Sequence, residues 1–208
     1  KKAKVVILLK SPLKDRSNPS SYRGISLLPV LGKVLERIMI NRLNISNNAA
    51  QFGFRENKGI VDAWSYVKDV HASVNSTYLL GIFIDFRGAF DNLKWGYILH
   101  YLNHIHCKDV KLWKSYFSSR NGIVFGVNES VNRVINRGCP QGSICGPYIW
   151  NMVMDRLLYS LQGVDGCRAC AYADDLLVLV ESNSRSVLES RSAEIIRLIA
   201  EWSQDVGV

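Results

Sequence analysis

The chain has 208 residues, of which 48% are hydrophobic, and its mean hydropathy is +0.01, which excludes a disordered chain and allows one good core. Basic residues outnumber acidic ones by 26 to 18, and the whole excess lies in residues 1–75, with 13 against 5, which indicates a lobe that contacts a polyanion or, alternatively, a solubilising surface. No apolar run approaches the roughly 20 residues of a membrane span, and no signal-peptide cleavage site follows the basic start, so we expect an intracellular protein outside the membrane.

The first part of the chain alternates between short strands and amphipathic helices. A polar loop with two prolines follows the first strand, and Pro29 then opens a helix with a predicted apolar face of Leu31, Leu35, Ile38, Met39 and Leu43. An apolar run that ends in an acid is typical of a buried strand. The predicted elements are a strand at Lys4–Leu9, a loop at Ser11–Ser21, a helix at Val30–Leu43, a turn region at Gln51–Gly59, a following helix that carries Ala63, Trp64, Val67, Val70 and Val74, and a buried strand at Tyr78–Phe86.

The second part of the chain reads as helices, a hairpin and a final pair of strands that leads into a long helix. These elements predict an α+β fold with a helical, basic front lobe and a sheet-based back lobe. They are helices at Tyr97–His104 and Val110–Phe117, hairpin strands at Gly122–Val127 and Val131–Ile135 around a turn with Asn128 and Glu129, a loop at Gly138–Pro147, a helix at Tyr148–Leu161, strands at Cys167–Tyr172 and Leu176–Glu181, and a helix at Ser186–Gln204.

Acidic residues stand where predicted strands end. Asp85 closes one apolar run, and Asp174 and Asp175 join the last two strands. Burying a carboxylate is costly unless it is paired or binds a metal, and hard oxygen ligands with room for water and phosphate select Mg²⁺. A hairpin with acids at its tip, beside a strand that ends in an acid, therefore indicates a two-metal site for phosphoryl transfer. A surface turn is the alternative, because Asp-Asp is common in turns.

The cysteines offer a second possible metal site, for zinc, but the sequence supports it less well than the carboxylate site. Cys167 and Cys170 form a C-x-x-C pair, which could be half of a zinc site. No second pair stands at zinc spacing, and the segment is predicted to be a strand. The five cysteines are an odd number, which fits free thiols in a reducing compartment.

Five segments carry short motifs. They are YRGISLL at Tyr22–Leu28 with the helix after it, QFGFR at Gln51–Arg55, IDFRGAFD at Ile84–Asp91, GCPQGSICGP at Gly138–Pro147 and YADD at Tyr172–Asp175. In order and spacing they resemble reverse transcriptases of the non-LTR retrotransposon branch, over nearly the whole chain. The residues of these motifs are most similar to those of the arthropod elements that insert into ribosomal RNA genes or telomeric repeats. One departure is Gly24, where the family usually has proline.

The resemblance implies a right-hand polymerase core with helical, basic fingers and a palm built on an antiparallel sheet. It assigns residues 1–77 to the fingers, 78–208 to the palm and 107–137 partly to each, within one reverse transcriptase domain 1–208. The family's helical thumb, and the lysine expected shortly after Trp202, are absent from the sequence, as is an endonuclease domain. We therefore expect a fragment of a longer retrotransposon polyprotein that works in the nucleus.

The same resemblance implies roles for residues at the carboxylates. Asp85 and Asp174 would bind two Mg²⁺ ions, with Mn²⁺ as an alternative, and Asp175 would lie beside them as the third catalytic acid. The carbonyl of Phe86 would complete one metal shell. The ring of Phe90 would exclude a 2′-hydroxyl from the incoming sugar, unless it is a core aromatic.

Further roles concern the nucleotide and the template. Arg23 would contact the triphosphate, for which a guanidinium fork is suited, and Lys10, or else Lys14, would assist unless either is a solvated loop lysine. Gln141 and Gly142 would line the nucleotide pocket. The residues assigned to the template are Gln51 and Arg55, with a local structural hydrogen bond as the alternative for each.

The implied activity is RNA-directed DNA synthesis, in which a dNTP is added to a DNA primer on an RNA template at the DNA target. One alternative is a reverse transcriptase like the group II intron maturases. Another is an inactive, polymerase-derived RNA-binding module, against which the intact Asp85, Asp174, Asp175 and Gln141 argue. A small sheet domain without a nucleic-acid role would leave the basic front lobe unexplained.

Overall fold

The computed structural model of the chain describes residues 1–43, 47–126 and 129–208. Strands and helices alternate along these residues, which confirms the predicted α+β class. In chain order they are β1 (Lys2–Leu9), β2 (Tyr22–Leu27), α1 (Val30–Asn41), α2 (Ile60–Ser73), β3 (Tyr78–Asp85), α3 (Ala89–Asn92), α4 (Trp95–His104), α5 (Val110–Phe117), β4 (Arg120–Phe125), β5 (Ser130–Ile135), α6 (Cys145–Gln162), β6 (Cys167–Tyr172), β7 (Asp175–Ser182) and α7 (Arg185–Val206).

The chain forms two compact units that interleave along the sequence. The first unit comprises Lys1–Asn44 and Phe90–Gly146, and the second comprises Ile45–Ala89 and Pro147–Val208. The predicted boundary at residue 77 separates the fingers and the palm of a polymerase, which need not coincide with the two compact units. It stays a prediction.

The first unit contains a four-stranded sheet in the order β2-β1-β4-β5. The outer pairs are antiparallel, whereas β1 and β4 run parallel, with Val5 opposite Val124. The strand β2 is absent from the predicted elements, because its sequence has no clear apolar alternation. The predicted hairpin of β4 and β5 is confirmed, while Val127 and Asn128, which include part of its predicted turn, lie outside the described residues.

One face of α1 differs from its prediction. The helix buries Glu36, Met39 and Ile40, whereas Leu31 and Ile38 of the predicted apolar face are 82% and 48% exposed. The prediction of the buried face is therefore confirmed at Met39 and wrong at Leu31 and Ile38. The physical reason is that the buried face includes a carboxylate with its own hydrogen-bond partners, which a pattern of apolar residues does not reveal.

The second unit contains an antiparallel three-stranded sheet in the order β3-β7-β6. Helix α2 packs on β6, and α7 packs on β7 and β3. The helix predicted at Ser186–Gln204 is confirmed as α7, and its buried residues recur at helical spacing and include Ile195, Ile199 and Trp202.

The strand β3 was predicted to be buried, and this is wrong, because each of its residues is exposed or only partly buried. Phe83 is 81% exposed. It lies opposite Leu177, which in turn lies opposite Cys170, so these three side chains share a face of the sheet. Helix α2 covers that face at Cys170, at the far edge from β3. Because β3 is an edge strand, this part of its surface remains open.

The described helices include none that combines the length and the apolar character needed to cross a membrane.

Candidate active site

The three predicted catalytic carboxylates lie together at one end of the second unit's sheet. Asp85 is the last residue of β3 and Asp175 the first of β7, and the two residues are opposite each other in the antiparallel ladder. Asp174 precedes Asp175 in the turn from β6 to β7. Opposite residues in such a ladder have Cβ atoms about 4.5–5.5 Å apart. The fold therefore brings together acids that are 89 positions apart in the chain (85 and 174).

The electrostatics of this end of the sheet disfavour three negative charges. Burial, followed by the charges of Asp174 and Asp85, raises the pKa of the Asp175 carboxyl above its ordinary value. Two carboxylates about 4 Å apart repel by about 4 kcal/mol at an effective dielectric constant near 20. A divalent cation between such groups turns this repulsion into attraction.

The donors at this end of the sheet fit a hard divalent cation. The predicted ligands are the carboxylates of Asp85 and Asp174 and the carbonyl of Phe86, all oxygen donors, and Mg²⁺ is usually held by one or two carboxylates with water and substrate phosphates. Within the described ranges, no group of three or more His, Cys, Asp or Glu side chains is arranged to hold a metal ion. The predicted metal ligands include only two such side chains, Asp85 and Asp174. The expectation that they bind Mg²⁺ therefore rests on the chemistry of their oxygen donors.

The cysteine pair of β6 has a different character. Cys167 and Cys170 are both buried free thiols. Burial raises the pKa of each thiol to about 11. A metal-binding cysteine must be deprotonated, so this environment disfavours zinc.

The turn that carries Asp174 is held by side chains from two other segments of the second unit. Ala173 has a φ of +58°, a conformation that is uncommon for residues other than glycine. The side-chain oxygen of Gln51 accepts a hydrogen bond from the Ala173 N–H (3.2 Å), and its amide nitrogen donates to the Ala173 carbonyl (3.4 Å). The indole N–H of Trp150 donates to the same carbonyl (2.7 Å). Two side chains therefore fix the backbone of the strained residue.

Gln51 belongs to a short segment, Asn48–Gly53, that we call the strap. On either side of Gln51 the strap makes a backbone hydrogen bond of 2.8 Å with Ala171 of β6. At Gly53 the strap passes so close to the turn that an added Cβ atom would lie 2.1 Å from the nitrogen of Ala173. Glycine is therefore required at this position for the strap to reach the turn.

The other end of the strap is held by a buried carboxylate. Asp155 of α6 is 1% exposed, and its Oδ1 accepts the N–H of Asn48 (3.0 Å). Arg55 donates to the carbonyls of Asn48 and Gln51 (3.0 and 3.1 Å). Burial raises the pKa of Asp155 to about 6, because the hydrogen bond from Asn48 and the charge of Arg55 only partly offset the loss of hydration.

Phe86, next to Asp85, is anchored by aromatic contacts. Its ring meets Trp150 and Trp202 edge-on, with centroids 6.1 and 5.2 Å apart. The side chain is 6% exposed. This packing fixes the residue after Asp85, while the role of its carbonyl as a metal ligand stays a prediction.

The first unit contains nearly all of the predicted nucleotide loop Gly138–Pro147, because this unit ends at Gly146. The loop begins at Gly138, which has a φ of +80° and donates its N–H to the carbonyl of Leu93 (2.7 Å). Cys139 donates to the carbonyl of Phe90 (2.6 Å), and the indole of Trp95 donates to the Gly138 carbonyl (2.8 Å). The backbone of the half-buried Phe90 is thus hydrogen-bonded to the start of the loop.

Gln141 and Gly142 of this loop are tied to β2. The carbonyl of Gln141 accepts the N–H of Ser26 (2.8 Å), and its side-chain nitrogen lies 3.3 Å from both carboxylate oxygens of Asp91. Gly142 has a φ of +107°, and an added Cβ atom would lie 2.7 Å from the Ser26 carbonyl oxygen. Glycine is therefore needed here for close packing on β2, in addition to any contact with a nucleotide.

A buried carboxylate holds the loop on its other side. Glu36 of α1 is 1% exposed and accepts hydrogen bonds from the Tyr116 hydroxyl (2.5 Å) and the Ile144 N–H (2.6 Å). The Cys145 thiol donates to the same hydroxyl (3.1 Å). Burial, followed by the charge of Glu36, raises the pKa of Cys145 to about 12. This cluster joins α1, α5 and the end of the loop.

The predicted triphosphate ligands are on the β1–β2 hairpin of the same unit. Arg23 lies in β2 opposite Leu8, and Lys10 follows the end of β1. Lys14 lies in the loop between the strands. All three cations are exposed, and their contacts with a triphosphate stay predictions.

A family model for the reverse transcriptase (RNA-dependent DNA polymerase) matches residues 10–208 of the chain. The chain belongs to the reverse transcriptase family. A putative 115 kDa protein in type-1 retrotransposable element R1DM of Drosophila melanogaster is 48% identical over 207 residues, which cover 98% of this chain and 20% of that protein. The Pol polyprotein from type-1 retrotransposable element R1 of Bradysia coprophila is 41% identical, with 99% and 21% covered. The chain thus spans about a fifth of the length of these relatives, and they confirm its resemblance to the non-LTR retrotransposon branch.

Solved structures agree with the reverse transcriptase fold. An apo telomerase from Candida tropicalis, truncated from its C-terminal domain, aligns with a TM-score of 0.64 at 10% identity, covering 99% of this chain and 48% of that one. A telomerase from Candida albicans in complex with a fragment of telomeric RNA gives 0.63 at 11% identity, covering 94% and 40%. At these identities the likeness shows a shared fold.

Two reverse transcriptase residues predicted to contact the template have structural partners instead. The side chain of Gln51 is fully buried and holds Ala173, and Arg55 holds two carbonyls of the strap. A local structural hydrogen bond, the alternative that the sequence left open, is present for both: the Gly53 N–H donates to the Gln51 side chain (2.9 Å), and Arg55 donates to the Gln51 carbonyl (3.1 Å). Contact of Arg55 with a template stays a prediction, whereas the buried side chain of Gln51 has no surface for one.

Three further residues, which hold the carboxylate turn, the strap or the nucleotide loop, have no role predicted from the sequence. Glu36 and Asp155 are acids within amphipathic helices, and their only sequence signal is an acid at the edge of an apolar stripe. Trp150 lies in the helix predicted after the loop Gly138–Pro147, but its hydrogen bond to Ala173 depends on the fold.

Proposed function

We propose that the chain is the polymerase core of a non-LTR retrotransposon reverse transcriptase. It would transfer nucleotides from dNTPs to the 3′-hydroxyl of a DNA primer on an RNA template. The observation that carries this proposal is the pairing of Asp85 with Asp175, beside Asp174, in a chain of this family.

Each unit supports a separate part of this reaction. In the second unit, Asp85 and Asp174 would hold the divalent ions, and the carbonyl of Phe86 would add a ligand. Two such ions, when bound, lower the pKa of the primer hydroxyl and stabilise the departing pyrophosphate. Asp175 would add negative charge that favours their binding, and the fixed turn would keep the carboxylates in place.

The first unit would bind the nucleotide. The exposed guanidinium of Arg23, with Lys10, suits triphosphate oxygens. Gln141, fixed at its carbonyl by Ser26, would line the pocket, and the ring of Phe90 would stand against a ribose 2′-hydroxyl.

The distribution of charge supports nucleic acid as the partner. The first unit holds 17 lysines and arginines against 5 acidic residues, whereas the second holds 9 against 13. A single unit with an excess of twelve positive charges is suited to a phosphate backbone. The complete protein would add a thumb and an endonuclease, would act at a DNA target and would work in the nucleus.

In right-hand polymerase terms, we propose that the second unit supplies most of the palm and the first unit most of the fingers. This assignment follows the family and the positions of the motifs. It places the carboxylate turn in the palm and the basic hairpin of β1 and β2 in the fingers.

Primer extension tests the proposal directly. The complete polyprotein is given an RNA template, a DNA primer, dNTPs and Mg²⁺, and the expected product is template-encoded DNA that chelation of the metal abolishes. Binding of RNA by the complete polyprotein without any extension would overturn the proposal and support an inactive RNA-binding module.

A further inference from the structure

We propose that Gln51 is a positioning residue of the active site, which fixes the backbone at Ala173 and thereby sets where the carboxylates of Asp174 and Asp175 stand. The inference rests on the proposed function for the meaning of those carboxylates. It assigns to Gln51 a different task from the template contact expected from the sequence.

The first argument is the pattern of hydrogen bonds. The Gln51 side chain has no exposed surface, and its two polar atoms meet the N–H and the carbonyl of one residue, Ala173. Its oxygen also accepts the N–H of Gly53 (2.9 Å). A primary amide is suited to this task because it donates and accepts at adjacent atoms.

The second argument is the conformation of the turn. An alanine with a φ of +58° relaxes unless its surroundings determine it. Asp174 and Asp175 follow Ala173 directly, so rotation at this residue would move both carboxylates relative to Asp85 on the neighbouring strand.

The third argument is that Gln51 is itself fixed. The strap pairs with Ala171 on both sides of Gln51, and Gly53 lies against the turn without room for a Cβ atom. The amide of Asn151 donates to the Gly53 carbonyl (3.0 Å). The contact is therefore a rigid link from β6 and α6 to the turn.

The fourth argument is exclusion of the template role. A side chain with 0% exposure has no surface that a nucleic acid could touch. A neutral amide is also electrically suited to this place, because it fixes the turn without a fourth negative charge next to three carboxylates.

The test compares Gln51→Met with Gln162→Met. Methionine keeps the length of the side chain and removes its hydrogen bonds. Gln162 is a matched control, since its amide belongs to the same network through Asn48 (3.1 Å) and not to the turn. Primer extension gives kcat and the KM for template–primer, and electron paramagnetic resonance of free Mn²⁺ gives the affinity for metal without any need for turnover.

For Gln51→Met we expect kcat to fall about 10²-fold, because a displacement near 1 Å at the reacting groups has this effect. The KM for template–primer should stay within about twofold, and Mn²⁺ should bind several-fold more weakly, as expected for misplaced ligands. Gln162→Met should stay within about twofold of the parent in all three. If Gln51→Met does not fold, Trp150→Phe removes one hydrogen bond to the same carbonyl, and kcat should fall about tenfold.

Each other outcome is decisive. A loss confined to template–primer KM, or equal losses in Gln51→Met and Gln162→Met, would overturn the inference. A parent protein that binds Mn²⁺ without extending a primer would overturn the proposed function alone, and the Mn²⁺ affinities would then decide the role of Gln51. A parent that neither extends a primer nor binds Mn²⁺ would overturn both.

Discussion

The carboxylate turn of the second unit and the nucleotide loop of the first are both held by a buried side chain from a distant segment. Gln51, a neutral amide, holds the turn, and Glu36, a carboxylate, holds the loop. The difference follows from their surroundings. The turn already brings three acids together, and another charge would add to their repulsion, whereas the loop lies in a unit with few acids.

The two units also differ in what their buried anchors contribute. Gln51 bonds a residue that is next to the carboxylates, so we expect its loss to affect the reaction. Glu36 satisfies a hydroxyl and a backbone N–H inside the first unit, so we expect its loss to affect folding. The following predictions test this contrast.

The largest effect should come from the carboxylates themselves. Asp85→Ala and Asp174→Ala should each abolish nucleotide addition, because each removes a predicted metal ligand. Folding stability should hardly change, since like-charge repulsion is also relieved. Primer extension and thermal unfolding measure the two properties, with the exposed Asp205→Ala as control. A variant of either residue that still extends a primer would remove it from the catalytic set.

Glu36→Ala should destabilise the protein by about 3–5 kcal/mol. The substitution leaves the Tyr116 hydroxyl and the Ile144 N–H buried without their partner, and such losses are costly. Urea unfolding measures the free energy, and Glu189→Ala, at an exposed position on α7, should change it by less than about 0.5 kcal/mol. A stability loss no larger than that of the control would show that the loop does not depend on Glu36.

Asp155→Asn should change the pH dependence of stability. Burial raises the pKa of Asp155 to about 6 in the folded protein, so ionisation is disfavoured there, and the native state loses stability as pH rises from about 4 to 6. Asparagine keeps an acceptor for Asn48 and removes this loss. Its advantage over the parent should therefore grow by about 2–3 kcal/mol from pH 4 to pH 8. Urea unfolding across pH tests this, with Asp69→Asn as an exposed control whose effect should be flat.

The smallest effect concerns the charges of the first unit. Neutralising Lys10, Lys14, Arg16 and Arg23 with glutamine should flatten the dependence of RNA binding on salt. Each lost phosphate contact should lower the slope of log affinity against log salt by about 0.7 to 0.9. Lys58→Gln and Lys68→Gln, in the second unit, should change the slope less. Equal changes in both sets would mean that the charge contrast between the units does not direct RNA binding.

Much of this fold could be predicted from local patterns. Apolar residues such as Leu188, Ile195 and Ile199 predicted the long final helix, and the acids at Asp85 and Asp174 marked where strands end. The motifs around them identified the family, which the comparisons confirm. These features depend on residues that are close in sequence or on short motifs.

The anchors could not be predicted, because their partners are distant in sequence. Gln51 and Ala173 are 122 positions apart, and Glu36 and Ile144 are 108 apart. No period of apolar residues reports such contacts. The open face at Phe83 was missed for a related reason: an apolar run does not say whether its strand lies at the edge of a sheet.

The strand order of the second unit also has a consequence for synthesis on the ribosome. Both β3 and β6 pair with β7, which lies between them and is the last of the described strands to be translated. Asp85 therefore emerges from the exit tunnel long before its neighbour Asp175, and β3 waits with unpaired edges that could associate with other chains. A stop codon before residue 175 would leave two strands without their common partner, so that such a shortened product should aggregate or be degraded.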